Sequence, residues 1–217
     1  MCNLERFRSN NAEVRRHFDI PAKHDRAGNL MQGNIYPRQE GPIVRRTADG
    51  DRALVRMNWG FPLVPGKKKD GTPKAPKPVT NVRNTDSRFW LTWLGKPEHR
   101  CLGPLTAFAE PGPHKDEKGH VQNEWFGLTE EESLFAFAGI WRTWDRDWDK
   151  ERGRKETDVY AFLTTEPNAV VKPIHKKAMP VIVAPDDYDT WLTADWTEAK
   201  ALQRPFPAEK MTHYKQD

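Results

Sequence analysis

The apolar residues of this chain of 217 residues occur in short segments bounded by proline, glycine and charged residues. Short runs of this kind, rich in β-branched and aromatic residues, predict β-strands. Strands do not alternate with crossover helices, so a parallel α/β sheet is not expected. The predicted strands are GPIVRRT (41–47), DRALVRMNW (51–59), RCLGPLTAFAE (100–110), QNEWFGL (122–128), SLFAFAGIW (133–141), DVYAFLTT (158–165) and PVIVA (180–184).

The segments between these strands predict turns, loops and short helices. Asp49-Gly50 is a hairpin turn signal, and the strands at 122–128 and 133–141 are expected to pair as a hairpin. Short helices are predicted at 10–18, 168–180 (broken), 186–192 and 197–202. Loops or polar surface segments are predicted at 19–41, 64–78 (rich in lysine), 110–120 and 144–156, with a loosely held polar tail from about residue 205.

We therefore predict one α+β domain spanning residues 1–217, with a curved, barrel-like, mostly antiparallel β-sheet core and short peripheral helices. Nine Trp, ten Phe and four Tyr residues supply material for that core, although only 36% of the chain is hydrophobic. A chain of this length can bury one substantial core.

Composition excludes several classes of protein. No run of about 18 apolar residues predicts a membrane span, and the charged first residues do not resemble a signal peptide. Two cysteines are too few for a disulfide scaffold or a four-ligand zinc site, and His114 and His120 lie in a loop that we interpret as solvated. We expect a cytoplasmic monomer without metal or cofactor. The net charge of +4 permits a nucleic-acid partner without requiring one.

Cys2 is the one residue whose position suggests unusual chemistry. Removal of Met1 would leave a cysteine that carries both a thiol and a free α-amine. An α-amine has a pKa of roughly 7.7–8.0, against about 10.4 for lysine, so much of it is neutral near physiological pH. Such an aminothiol can attack an aldehyde and close to a thiazolidine. The alternative is that Cys2 is a small residue selected only for methionine removal.

Several stretches together resemble the SOS response-associated peptidase (SRAP) family, whose members process abasic sites in DNA. The resemblance extends from residue 2 to about residue 192. It rests on an ordered set: MCN at the start, RMNWGFPLVP (56–65), NVRNTD (81–86), RCLGPLTAFAE (100–110), FAGIW (137–141), FLTTEPN (162–168) and HKKAMPVIV (175–183). One departure is that FPLVPGKKK follows Trp59-Gly60, so the second tryptophan that the family has shortly after this position is missing.

The resemblance implies roles for four residues. Cys2 would be the covalent nucleophile, and Asn81 would hold the new amino terminus and the sugar through its amide. Glu110 and His175 would transfer protons during ring opening, imine formation and strand cleavage. Without the resemblance, Asn81 could be a turn residue, Glu110 a strand end, and His175 a helix end.

Several arginines and one tryptophan are candidates for contacts with DNA. Arg83 is expected at a phosphate, and Arg6 and Arg8 could face the DNA backbone. Trp59 could stack on a base or belong to the core, and both interpretations remain open. The lysines at 67–69, 74 and 77 could bind phosphates or simply be solvated, and Cys101 is expected to be a buried small residue.

The predicted partner is therefore single-stranded DNA containing abasic sites, with the protein associated with the nucleoid during DNA damage. The predicted activity is a covalent thiazolidine crosslink through Cys2, with lyase activity as a possible side reaction. Two alternatives are retained. The chain could be a thiol peptidase that removes its own Met1, or a DNA-binding module that forms no covalent bond.

Overall fold

The computed structural model describes residues 3–63, 66–72, 74–128, 133–145 and 156–215. Short strands dominate these residues. The strands are β1 (Glu5–Phe7), β2 (Gly33–Ile35), β3 (Glu40–Arg46), β4 (Arg52–Trp59), β5 (Phe61–Leu63), β6 (Lys77–Val79), β7 (Asn81–Val82), β8 (Arg100–Leu105), β9 (Ala107–Lys115), β10 (Val121–Gly127), β11 (Phe135–Trp144), β12 (Thr157–Thr165), β13 (Met179–Pro180), β14 (Ile182–Val183) and β15 (Thr212–Lys215).

The helices are few and lie outside the strand core. The α-helices are α1 (Asn11–His17), α2 (Arg88–Leu94), α3 (Tyr188–Thr193) and α4 (Trp196–Lys200). Single 3₁₀ turns occur at Ala22–His24, Pro97–His99, Pro185–Asp187 and Ala208–Lys210. The predicted first helix is confirmed, and Asn10 caps it by accepting a hydrogen bond from the Glu13 backbone N–H.

Five strands close into a barrel. Around the ring, β12 pairs with β4, β4 with β3, β3 with β8, β8 with β11, and β11 again with β12. All of these pairs are antiparallel except β12 with β4, which is parallel. Closure leaves the ring without an unpaired edge. The predicted α+β class with a barrel-like, mostly antiparallel core is thus confirmed.

A second sheet runs in the order β15-β10-β9-β1-β2. It is continuous with the barrel, because β8 and β9 are separated only by Thr106. At this corner the Thr106 backbone N–H and hydroxyl both donate to the carbonyl of Arg6, at 2.8 and 3.1 Å. The start of the chain is therefore attached where the barrel passes into the second sheet.

Aromatic rings fill the barrel. Trp59 and Tyr160 stack with ring centroids 6.3 Å apart, and Phe162 contacts both of them edge-on or tilted. Phe162 also meets Phe137 at 5.3 Å. Gly103 on β8 lies against the Phe162 ring, and a Cβ at that position would overlap ring carbons Cε1 and Cζ. The missing side chain of Gly103 therefore makes room for this ring.

Three predicted connections are wrong. The segment 110–120 is mostly strand, because β9 continues to Lys115 and forms a hairpin with β10. Strand β10 then pairs with β15 rather than with β11, so the predicted hairpin of 122–128 with 133–141 does not form. The tail predicted to be loosely held supplies β15, which is anchored on β10.

Two further segments differ from their predictions. Residues 168–178 form turns instead of a broken helix, because the Asn168 side chain accepts from the backbone N–H groups of Val170 and Val171 and Pro173 lacks an N–H to continue a helix. The surface segment 19–41 includes β2 and buries five side chains: Ile20, His24, Ala27, Leu30 and Ile35.

Parts of two polar segments fall outside the described residues, namely 64, 65 and 73 in the lysine-rich loop and 146–155 in the excursion at 144–156. The described part of the lysine-rich loop turns between Lys68 and Thr72, and Lys77–Val79 pairs with Phe61–Leu63. Among the described residues, no helix combines the length and apolar character needed to cross a membrane.

The Gly103→Ala substitution should destabilise the fold by about 1–3 kcal/mol, because the added methyl group overpacks the barrel against Phe162. Urea denaturation followed by tryptophan fluorescence measures this loss. The double variant Gly103→Ala/Phe162→Leu is the matched control, since the smaller side chain relieves the overlap. The double variant should lose less unfolding free energy than the two single variants lose together. Additive losses would show that the methyl group does not overlap with Phe162.

Candidate functional site

Glu110 is a buried carboxyl near the start of β9. It lies two residues beyond Phe108, so both side chains face the barrel side of the strand. Glu110 as a whole is 0% exposed. Burial raises the pKa of the Glu110 carboxyl above its usual range, although the nearby His175 acts in the opposite direction. A carboxyl in this environment can hold a proton at a pH where an exposed glutamate has lost it.

His175 lies beside Glu110 on the turn that follows β12. Its Nδ1 is 2.6 Å from the carbonyl oxygen of Ala178 and 3.9 Å from Glu110 Oε1. A carbonyl oxygen can only accept, so Nδ1 carries the hydrogen and donates it to Ala178. The neutral ring is thereby held in one tautomer, with Nε2 as the nitrogen that can accept or release a proton.

Asn81 is the first residue of β7 and is half-buried. Strand β7 runs parallel to β12, with Asn81 opposite Phe162. The Asn81 amide donates through Nδ2 to the Thr80 hydroxyl at 2.8 Å. The Thr80 hydroxyl in turn donates to Asn3 Oδ1 at 3.0 Å. Asn81 is therefore connected to the third residue of the chain through a single threonine.

The beginning of the described chain joins these groups. The Leu4 carbonyl accepts from the Ala109 backbone N–H at 2.9 Å, directly next to Glu110. Asn3 is held on the other side by Thr80. Cys2 lies outside the described residues, but it is covalently joined to Asn3. The segment that leads to Cys2 thus passes between the neighbours of Glu110 and of Asn81.

Arg83 is exposed and connects β7 to the His175 turn. Its guanidinium donates from Nη1 to the carbonyl of Lys177. Beside it is an open depression of about 400 Å³ lined by Thr164, Thr165, Glu166, Gln203, Arg204, Pro205 and Arg83 itself. Gln203 fixes this wall, because its Nε2 donates to the carbonyls of Arg83 and Thr164.

The other three residues predicted to contact DNA lie in different environments. Trp59 is 0% exposed and donates from Nε1 to the Thr80 carbonyl at 3.3 Å. It therefore belongs to the core, and its predicted stacking on a base is wrong. Arg6 is only 3% exposed, with its guanidinium 3.4 Å from the Trp125 ring centroid, but it lines an open depression beside Arg8, so its DNA contact stays a prediction. Arg8 is exposed beside β1, and its role stays a prediction.

Cys101 has the environment predicted from the sequence. It is fully buried in β8, and burial raises the pKa of its thiol far above the usual range. A thiol in this environment forms little thiolate and is a poor nucleophile. Cys2 is the other cysteine of the chain, so any thiol chemistry depends on it.

Two residues of this region were missed by the sequence analysis. Thr80 directly precedes Asn81 and could have been noticed as a hydroxyl beside a predicted site amide. Glu5 is 2% exposed, and burial raises the pKa of its carboxyl well above the usual range. It lies opposite Phe108 in the sheet, and only the strand pairing reveals this position.

Together, the side chains of this site are suited to proton transfer and to binding a polar substrate. A buried carboxyl lies next to an imidazole with a defined tautomer, and an amide and a hydroxyl lie beside the chain start. Among the described residues, no group of three His, Cys, Asp or Glu side chains is arranged to hold a metal ion.

Comparison with known proteins gives a family and a fold. A family model described as SOS response associated peptidase (SRAP) matches residues 1–216. A search of curated proteins found no significant match. A protein from Bordetella bronchiseptica has a similar structure, with a TM-score of 0.73 and 22% identity, covering 100% of both chains.

Two other solved structures share this fold. A Bacteroides thetaiotaomicron protein gives a TM-score of 0.70 at 19% identity, covering 99% of this chain and 91% of that chain. A phage-related protein from Bordetella bronchiseptica gives 0.66 at 18% identity, covering 99% and 94%. At these identities the structures show a common fold and nothing about activity.

Replacing Glu110 by Gln should change how stability depends on pH. A buried carboxyl with a raised pKa stabilises the fold most at low pH, and that contribution is lost as pH rises from the unfolded pKa through the folded pKa. Glu110→Gln lacks this ionisation, so its melting temperature relative to wild type should be higher at pH 8 than at pH 5. Thermal melts at the two pH values measure the difference.

The matched control for this prediction is Glu117→Gln, a substitution of an exposed glutamate in the β9–β10 turn. It should shift the melting temperature equally at both pH values. An equal shift for Glu110→Gln as well would show that folding does not raise the pKa of this carboxyl above its value in the unfolded chain.

Proposed function

Since this chain belongs to the SOS response-associated peptidase (SRAP) family, we propose that it captures abasic sites in single-stranded DNA by a covalent bond to Cys2. Family membership associates the protein with the SOS response. The observation that carries the finer proposal is the position of Asn3 and Leu4, which are attached beside Asn81 and Glu110. Proton-transfer groups are therefore close to the segment that leads to the aminothiol.

The proposed reaction starts from the open-chain form of the abasic sugar, which carries an aldehyde at C1′. After removal of Met1, the Cys2 α-amine adds to the aldehyde, and loss of one water gives an imine. The Cys2 sulfur then adds to the imine carbon, and the thiol proton passes to the nitrogen. The product is a five-membered thiazolidine, so the net reaction joins protein and DNA with release of one water.

Glu110 and His175 provide the protons for these steps. Protonated Glu110 can donate to the ring oxygen of the closed sugar while the C1′ hydroxyl loses its proton to water, which opens the ring to the aldehyde. The resulting carboxylate can then accept a proton from the adding amine. His175 can act through Nε2, because Nδ1 is occupied by Ala178. At the imine stage, loss of a C2′ proton would instead cleave the strand by β-elimination, which is the proposed lyase side reaction.

The DNA backbone is proposed to follow the exposed basic side of the site. Arg83 lies next to the His175 turn, and Arg204 lines the same depression. Arg8 is exposed just beyond β1 and is a further candidate for a phosphate contact. Because Trp59 is buried in the core, base stacking by this ring is not part of the proposal. Phosphate contacts by these arginines would hold the strand in place without reading its sequence.

An abasic oligonucleotide provides the direct test of the proposal. Wild-type protein whose intact mass shows removal of Met1 should give a slower band on a denaturing gel, with the mass of protein plus DNA minus one water. Cys2→Ala should abolish the band, because a thiazolidine cannot form without the Cys2 thiol. An undamaged oligonucleotide should give no band, and Cys101→Ser should crosslink if it folds, since Cys101 is not the nucleophile.

The outcomes separate the retained alternatives. If methionine-free wild type gives no Cys2-dependent band, covalent capture is wrong. Equal affinity for intact and abasic strands without a band would favour a binding module. Turnover of an unrelated peptide that requires Cys2 would favour a thiol peptidase. Association with the nucleoid during DNA damage belongs to the proposal and is tested by imaging cells after such damage.

Arg83 substitutions should change the salt dependence of single-strand binding. Each phosphate contact contributes about 0.7 to the slope of log K against log salt for single strands. Arg83→Ala should reduce the slope by about that amount, and Arg83→Lys should retain it because the charge remains. A fluorescence titration at several salt concentrations measures this difference, and equal slopes for wild type and Arg83→Ala would remove Arg83 from the DNA path.

A further inference from the structure

Thr80 is held in place by its backbone. It is half-buried in the connection between β6 and β7. Its carbonyl oxygen accepts two hydrogen bonds, from the Phe162 backbone N–H at 3.1 Å and from Trp59 Nε1 at 3.3 Å. Phe162 belongs to the closed barrel, and Trp59 is fully buried within it. The Thr80 backbone is therefore fixed to the packed, fully buried part of the barrel.

The Thr80 hydroxyl has two polar partners with opposite requirements. The Asn81 Nδ2 group can only donate, and the Asn3 Oδ1 atom can only accept. A hydroxyl can do both, so the hydrogen bonds run in one direction, from Asn81 to Thr80 to Asn3, at 2.8 and 3.0 Å. This direction fixes the orientation of the Asn81 amide, since the Nδ2 end faces Thr80 and the Oδ1 end faces away.

The branched side chain of threonine strengthens this arrangement. Two heavy atoms on Cβ restrict χ1, so the hydroxyl keeps one direction with little loss of rotamer entropy. Serine would retain the hydroxyl but rotate more freely. Valine would retain the shape but leave the Asn81 Nδ2 hydrogen and the Asn3 oxygen without this shared partner.

We propose that Thr80 is a positioning residue for the aminothiol reaction, because its hydroxyl sets the orientation of Asn3, next to Cys2, relative to the Asn81 amide. The inference rests on the proposed covalent capture of abasic sites. Thr80 touches neither the nucleophile nor the sugar in this proposal. It acts through its two neighbours, and its hydroxyl should affect the rate of bond formation more than the affinity for DNA.

The experiment compares rate and affinity in the same variants. Under single-turnover conditions with saturating abasic oligonucleotide, Thr80→Val should lower the crosslinking rate constant about 10–100-fold, because small displacements of reacting groups are costly. Its Kd for an undamaged strand should stay within about twofold of wild type. Thr80→Ser should recover most of the rate. Intact mass must show that Met1 is removed to the same extent in every variant.

Thr143→Val is the matched control, because Thr143 is an exposed threonine whose hydroxyl donates to Asp158 Oδ1 at 2.7 Å. It loses a comparable hydrogen bond away from the site and should crosslink at the wild-type rate. Asn3→Ala should slow crosslinking as well. In the Asn3→Ala/Thr80→Val double variant, the fold-decrease in the rate constant should be smaller than the product of the two single fold-decreases.

Each outcome decides between distinct conclusions. A wild-type rate for Thr80→Val, or equal losses for the Val and Ser variants, overturns the role of the hydroxyl while covalent capture stands. If the crosslinking rate constant falls only in proportion to a weaker Kd or a lower melting temperature, Thr80 has a structural role alone. Failure of the wild-type protein itself to crosslink refutes the proposed function rather than the role of Thr80.

Discussion

Strand β12 is the element on which the candidate site depends. It closes the barrel by pairing with β11 on one side and, in parallel, with β4 and β7 on the other. The parallel pairing brings Trp59 and Asn81 next to consecutive parts of the same strand. After its last residue the chain turns directly into the segment that carries His175. One strand thus aligns residues that are far apart in sequence.

The packed interior of the barrel and the reactive side chains of the candidate site lie next to each other. The barrel interior is a set of packed aromatic rings with little freedom to move, and Thr80 is attached to it through its backbone. The reactive groups lie just outside this interior, where Glu110 is buried without becoming part of the apolar core. Burying a carboxyl in such a position disfavours its charged form. That cost to stability is consistent with a site selected for proton transfer.

Local sequence patterns predicted the barrel strands and most short helices, because these depend on alternation, capping and turn residues such as Asp49-Gly50. Pairings between distant segments were not predictable from local patterns. The paths of β10 and β15 depend on which strand pairs with each of their edges, and the sequence of the tail alone carries no such information. The same limit applies to the site. Glu110 and His175 could be named from the family resemblance and Thr80 could have been noticed beside Asn81, but the position of Glu5 depends on the pairing of β1 with β9.

The pairing of β1 with β9 also has a consequence for synthesis of the chain. Glu5 pairs with Ile35 on one side and with Phe108 on the other, so one edge of β1 has no partner strand until that later part of the chain exists. At about 5–20 residues per second, the intervening stretch takes roughly 5–20 s to translate. During this interval β1 is paired only through β2, and the Leu4 carbonyl lacks the Ala109 backbone N–H that later holds it next to Glu110. The order of translation thus sets when the candidate site can be completed.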